Sequence, residues 1–104
     1  MVFARISNWK FKEGKREEGL KTLESGNIED IARSTKGYVG SLTLLDDDNP
    51  DAGVIITLWD SEKALNESRK KLFQDAINEI DRFIVNPPDI KNFKLDSLEL
   101  FMCI

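Results

Sequence analysis

The residues best suited to chemistry lie near the amino terminus. From Val2 to Phe11 the chain is β-branched and aromatic in bulk, and alternation puts Phe3, Arg5, Ser7, Trp9 and Phe11 on one face. The three aromatics could wall a flat ligand, while Arg5 and Ser7 are the polar members of the same stripe. A buried guanidinium is costly, so the head of Arg5 needs a carboxylate, a bound anion or solvent. Arg5 is therefore the expected anion holder, against the plainer alternative of a salt bridge to a helix residue such as Glu79. The aromatic stripe also suits any small core.

Other candidates carry less. Trp59 ends a strand beside a helix start, where a large aromatic usually packs rather than binds. Tyr38 can donate a hydrogen bond to a substrate oxygen but is a poor base at neutral pH. The acidic run Asp46 to Asp51 suggests a calcium loop, yet Pro50 interrupts the ligand positions and Thr57 stands where the bidentate Glu belongs. A solvated hairpin loop is expected instead. Cys103 has no partner, and the chain contains 0 His, which removes the usual near-neutral acid/base and the commonest metal ligand together. No metal, haem or flavin is expected.

Composition bounds the remaining classes. The 104 residues, 40% hydrophobic and 33% charged, are the make-up of one globular domain. With 15 Lys and Arg against 19 Asp and Glu, the net charge of −4 argues against nucleic acid or an anionic membrane as partner. No apolar run approaches the roughly 20 residues of a membrane span. The opening residues lack a leader pattern, so a cytoplasmic location is expected.

These side chains must be positioned by a short series of elements. Strand one ends at the turn Glu13-Gly14-Lys15, and Leu20, Leu23, Ile28, Ile31 and Ala32 then keep helical spacing. Ser25-Gly26-Asn27 should bend or break that helix, and Gly37 should cap it. Strands at Tyr38–Leu45 and Gly53–Trp59 are joined by a link short enough for a hairpin. After the N-cap Asp60-Ser61, a second helix carries Ala64, Leu65, Leu72, Phe73, Ala76, Ile77 and Ile80, divided by polar 66–71 into a short turn and a longer helix. Asn86-Pro87-Pro88-Asp89 stops it, and Ile90 to Leu100 reads as strand four.

The order strand, helix, strand, strand, helix, strand is the split βαβ arrangement of ferredoxin-like α+β folds, a four-stranded antiparallel sheet with two helices on one face. Its other face, with Val2, Ala4 and Ile6, has no helix to cover it, so a homodimer is expected. The apolar tail 97–104 should join that interface.

Five segments fall in the order and spacing of a known family: Phe11-Lys12-Glu13-Gly14-Lys15, Lys36-Gly37-Tyr38-Val39-Gly40, Asp48-Asn49-Pro50, Thr57 to Ala64, and Pro87-Pro88-Asp89-Ile90. Over residues 1–96 the chain resembles the antibiotic biosynthesis monooxygenase domain family. The resemblance implies a dimeric α/β barrel with a pocket between each subunit's sheet and helices. It also implies cofactor-free oxygenation of quinol-like or anthrone-like aromatics, or, in another branch, haem degradation. The strand-one Asn of several members falls on Ser7, while Asn8 faces away unless a one-residue bulge turns it inward. The haem branch's helix-two Trp and His fall near Ser68 and Ile77, which makes that route incompatible with this chain.

The resulting expectation is a cofactor-independent monooxygenase acting on a small aromatic, quinol-like or conjugated carbonyl substrate. Arg5 and Ser7 would be catalytic, and Phe3, Trp9, Phe11, Trp59, Phe73 and Ile77 would line the pocket. The alternatives are a non-catalytic small-ligand-binding or regulatory dimer, and a structural dimer without a pocket. A cavity of roughly 300 to 1,000 Å³ would separate the last from the others.

Overall fold

The computed structural model describes residues 1–25 and 27–100. Four strands, β1 (Phe3–Lys10), β2 (Tyr38–Leu45), β3 (Ala52–Trp59) and β4 (Asp89–Lys94), form an antiparallel sheet in the order β2-β3-β1-β4. Helices α1 (Arg16–Glu24), α2 (Asn27–Ser34), α3 (Glu62–Ser68) and α4 (Gln74–Ile80) pack on one face of it. This is the ferredoxin-like α+β arrangement read from the sequence.

β1 pairs with β3 from Phe3↔Trp59 to Lys10↔Ala52 without a register shift. Strict alternation therefore holds along β1. Arg5, Ser7 and Trp9 are buried under the helices, whereas Asn8 is exposed on the far side. The irregularity in the sheet lies instead in β2, between Tyr38 and Gly40.

Two glycines are needed where the layers touch. A Cβ on Gly19 of α1 would come 2.6 Å from Cε1 of the buried Phe11 ring. Gly37 adopts φ +89° between α2 and β2, and a Cβ there would stand 2.5 Å from that of Ala64. The first helical segment divides as expected, with Ser25 extended after α1 and α2 starting at Asn27; Gly26 lies outside the described residues.

The second helical segment corrects the expected interruption. Ser61 Oγ caps α3 by accepting from the Ala64 amide at 3.1 Å, and the helical path continues through a π turn, Arg69–Phe73, into α4 and a 3₁₀ turn, Asp81–Phe83. The polar stretch does not break it, because Asn66, Glu67 and Arg69 to Lys71 face solvent while Ser68 and Leu72 remain buried. β4 is also shorter than Ile90 to Leu100. Its partner β1 begins at Phe3, opposite Lys94, so past the Leu95 N–H bond to the Val2 carbonyl (2.8 Å) β1 offers nothing further to pair with. Leu98 and Leu100 are exposed, and Phe101 to Ile104, with Cys103, lie outside the described residues.

Candidate active site between sheet and helices

β1 and β3 each carry a hydroxyl two residues before a tryptophan, in Ser7-Asn8-Trp9 and Thr57-Leu58-Trp59. Period-2 geometry puts hydroxyl and indole on one face. The Trp9 indole N–H donates to Ser7 Oγ at 2.7 Å, and that of Trp59 donates to Thr57 Oγ1 at 3.0 Å. Each indole is thereby satisfied within its own strand and turns a ring toward the helices. Tyr38 packs edge-on against Trp59, centroids 5.4 Å apart, and Phe73 lies 6.1 Å from Trp9.

Between these rings is a cavity of about 100 Å³. Its walls include Arg5, Ser7, Trp9, Trp59 and Phe73, and α1, α2 and the π turn close it with Leu23, Ile28, Ala32 and Leu72. Glu24, Glu29, Ser41 and Thr43 form the more polar part of the lining. The volume falls below the expected range, because Trp9, Trp59 and Phe73 occupy most of the space between the layers; it is closer to a single aromatic ring.

Arg5 is only 3% exposed. Its Nη1 donates to Ser68 Oγ at 2.8 Å and its Nη2 to the Leu65 carbonyl at 2.7 Å, while Nε is buried without a partner. The guanidinium carbon lies 5.4 Å from the Phe73 ring centroid. The expected salt bridge is not formed. Among the described residues no carboxylate pairs with Arg5, and Glu79 is exposed. Burial first, and then repulsion from Arg69, lower the Arg5 pKa to about 10, so the group keeps its proton at neutral pH. A desolvated cation facing an aromatic cavity can hold an anion without competition from an internal carboxylate.

Ser7 Oγ accepts from Trp9 and donates to the Ile55 carbonyl at 3.1 Å, so its proton is already engaged. Trp9, Trp59 and Phe73 are brought together with Arg5 and Ser7, whereas three residues expected in the lining stand outside the cavity wall. Phe11 is buried beneath Gly19, and Phe3 and Ile77 pack partly buried against the core. Ser68 was hidden inside the polar stretch, and Leu72, at helical spacing just after it, was not expected in the lining. Their spacing of three and seven from Leu65 was the available signal.

The acidic loop serves the backbone. Asp46 Oδ1 accepts from the amides of Asp48 (2.9 Å) and Asn49 (3.0 Å), which lowers its pKa, and Asp51 Oδ1 accepts from the Gly14 amide at 3.0 Å. Arg16 Nη1 donates to the carbonyls of Asp46, Asn49 and Ala52. Among the described residues no group of three or more His, Cys, Asp or Glu is placed to hold a metal ion, and no helix is long and apolar enough to cross a membrane.

Comparison with known proteins gives likeness in three dimensions only. No protein-family model and no curated protein matches the sequence. A provisionally assigned antibiotic biosynthesis monooxygenase from Chloroflexus aurantiacus superposes with a TM-score of 0.70 at 20% identity, covering 95% of this chain and 97% of that one. A protein of unknown function from Nitrosomonas europaea gives 0.76 at 14% identity, covering 98% and 96%. A mutant of SnoaB, a cofactor-independent oxygenase from Streptomyces nogalater, gives 0.75 at 11% identity, covering 93% and 95%. With its strand order, its helices on one sheet face and nearly full-length superposition, this chain has the fold of the antibiotic biosynthesis monooxygenase structures.

Proposed function

We propose that the protein is a cofactor-independent monooxygenase acting on a small ionisable aromatic, a quinol or phenol about one ring in size, within a cytoplasmic homodimer. The observation that carries this reading is Arg5, a buried cation that no carboxylate pairs with among the described residues, set in an aromatic cavity.

Triplet oxygen accepts an electron readily only from an electron-rich donor such as a phenolate or enolate, so the protein's task is to form and hold that anion. Arg5 favours the ionised ligand by charge, while Trp9, Trp59 and Phe73 enclose its ring and exclude water. Ser7 and Thr57 act through the indoles they hold. The carboxylates of the lining, Glu24 and Glu29, belong to α1 and α2, and Glu29 is bound to Arg33 at 2.8 Å. The substrate's own ionisation therefore governs the reaction, at a pH lowered by Arg5.

The open sheet face supports the dimer. Ile6, Val54, Ile56, Leu42, Leu44 and Phe93 share it, and Leu42, Leu44 and Phe93 are exposed, so a second copy presenting the same face would cover them.

An oxygen electrode with hydroquinone and substituted phenols tests the reading. Uptake without added metal or flavin, rising with pH through the substrate's ionisation and lost in Arg5→Leu, is expected. Binding by calorimetry with no uptake for any substrate would move the assignment to the non-catalytic ligand-binding alternative.

A further inference from the structure

A second cavity, about 230 Å³, lies between α2 and the α3 segment, lined by Ile31, Thr35, Ala64, Ser68 and Leu72 with charged side chains beside them. Leu72 is the one residue common to its lining and to that of the aromatic cavity. On α2, the adjacent residues Ile31 and Ala32 face the two cavities separately. Leu72 itself is 8% exposed and sits within the π turn, where a locally widened helix lets both it and the adjacent Phe73 reach the first cavity. Apart, the first cavity takes little more than one ring; joined, the two reach the lower bound of roughly 300 Å³ for sites that hold larger ligands.

We infer that Leu72 is the specificity-determining partition between these cavities, restricting the site to single-ring ligands and opening it to fused two-ring ligands when truncated. This rests on the ligand site proposed above. The extra ring would lie against Ile31 and Ala64, while the ionised oxygen stays at Arg5, whose partner Ser68 forms part of the second cavity's wall.

Anaerobic calorimetry with hydroquinone and 1,4-dihydroxynaphthalene measures binding apart from oxidation. The natural protein should prefer hydroquinone, and Leu72→Ala should move the ratio of the two affinities about tenfold toward the two-ring ligand. Leu72→Val, a smaller truncation that preserves folding, should move it in the same direction by less. Equal binding of the two ligands by the natural protein, or an unchanged ratio in a folded variant, would overturn the partition while leaving the site reading intact. Failure of hydroquinone to bind the natural protein overturns the site reading and the partition with it.

Discussion

Within β1 the stretch Ala4 to Ser7 departs from the usual arrangement of a half-buried strand. Beneath the helices lie Arg5 and Ser7, with relative exposures of 3% and 4%, while the opposite face carries the buried Ala4 and the half-buried Ile6. Ordinary amphipathicity would put the polar pair outside and the aliphatics inside. The polar pair held under cover at a cost supports the proposed ligand site, and the exposed Leu42, Leu44 and Phe93 on the opposite sheet face support the proposed interface. Neighbouring β3 shares the pattern, with Thr57 inward beside Trp59 and Ile56 outward.

The largest effect should come from the core of the covered face. Trp59 is 0% exposed, and Trp59→Ala should cost about 3 to 5 kcal/mol, enough to unfold much of the population in a urea titration. If Trp59→Ala kept nearly full stability, the covered face would not be the core described here.

On the opposite face, Ile56→Asp should leave the fold in place but set an unpaired charge in the proposed interface, weakening association by about 3 kcal/mol. Sedimentation should then fall from about twice 11.9 kDa to a single chain. Persistence of the dimer would assign the interface elsewhere.

A smaller effect with the opposite sign belongs to Arg5. Among the described residues no carboxylate compensates its buried charge and its Nε has no partner, and Leu65's carbonyl would keep the Ser68 hydroxyl, at 2.6 Å, after the guanidinium is removed. Arg5→Leu should therefore gain about 1 kcal/mol, or about 5 °C in melting temperature, while losing anion binding. The pH dependence follows from the direction of the shift. The unfolded chain holds this proton more tightly than the folded one, so the penalty is complete below a pH of about 10 and is relieved as pH rises above it. The melting-temperature difference between Arg5→Leu and the natural protein should accordingly shrink as pH rises above about 10. A destabilised Arg5→Leu would show that the two hydrogen bonds outweigh desolvation.

The smallest effect is expected at Asn8, exposed and turned away from the cavity. Asn8→Ser should change stability by less than about 0.5 kcal/mol and leave oxygen uptake unaltered. Loss of uptake would bring the outer face of β1 into the chemistry.

Much of the frame was legible because it is encoded between near neighbours. Alternation along Phe3 to Phe11 sorted Arg5 and Ser7 from Asn8, Ser61 announced the start of α3, Gly37 marked a turn with positive φ, and the short acidic link identified a hairpin. The candidate site was legible as a stripe of residue types, and both tryptophans and Phe73, grouped from the sequence as one wall, border the same cavity. The end of β4 was not, since strand length depends on where its partner stops, and neither was the continuity of the helix through 66–71, where buried Ser68 hides among charged neighbours.

Packing alone settled what Arg5 meets. Residues 65 and 68 lie some sixty positions away, and no local pattern distinguishes a carbonyl and a hydroxyl from the carboxylate of Glu79 as its neighbour. The same holds for the size of the cavity and the position of Leu72 in the lining of both cavities. A volume is the gap left between elements distant along the chain, and a helix that widens by one π turn changes which side chains border it. Periodicity along the chain selects the residues of each face, whereas the distance between faces is a property of the packed layers.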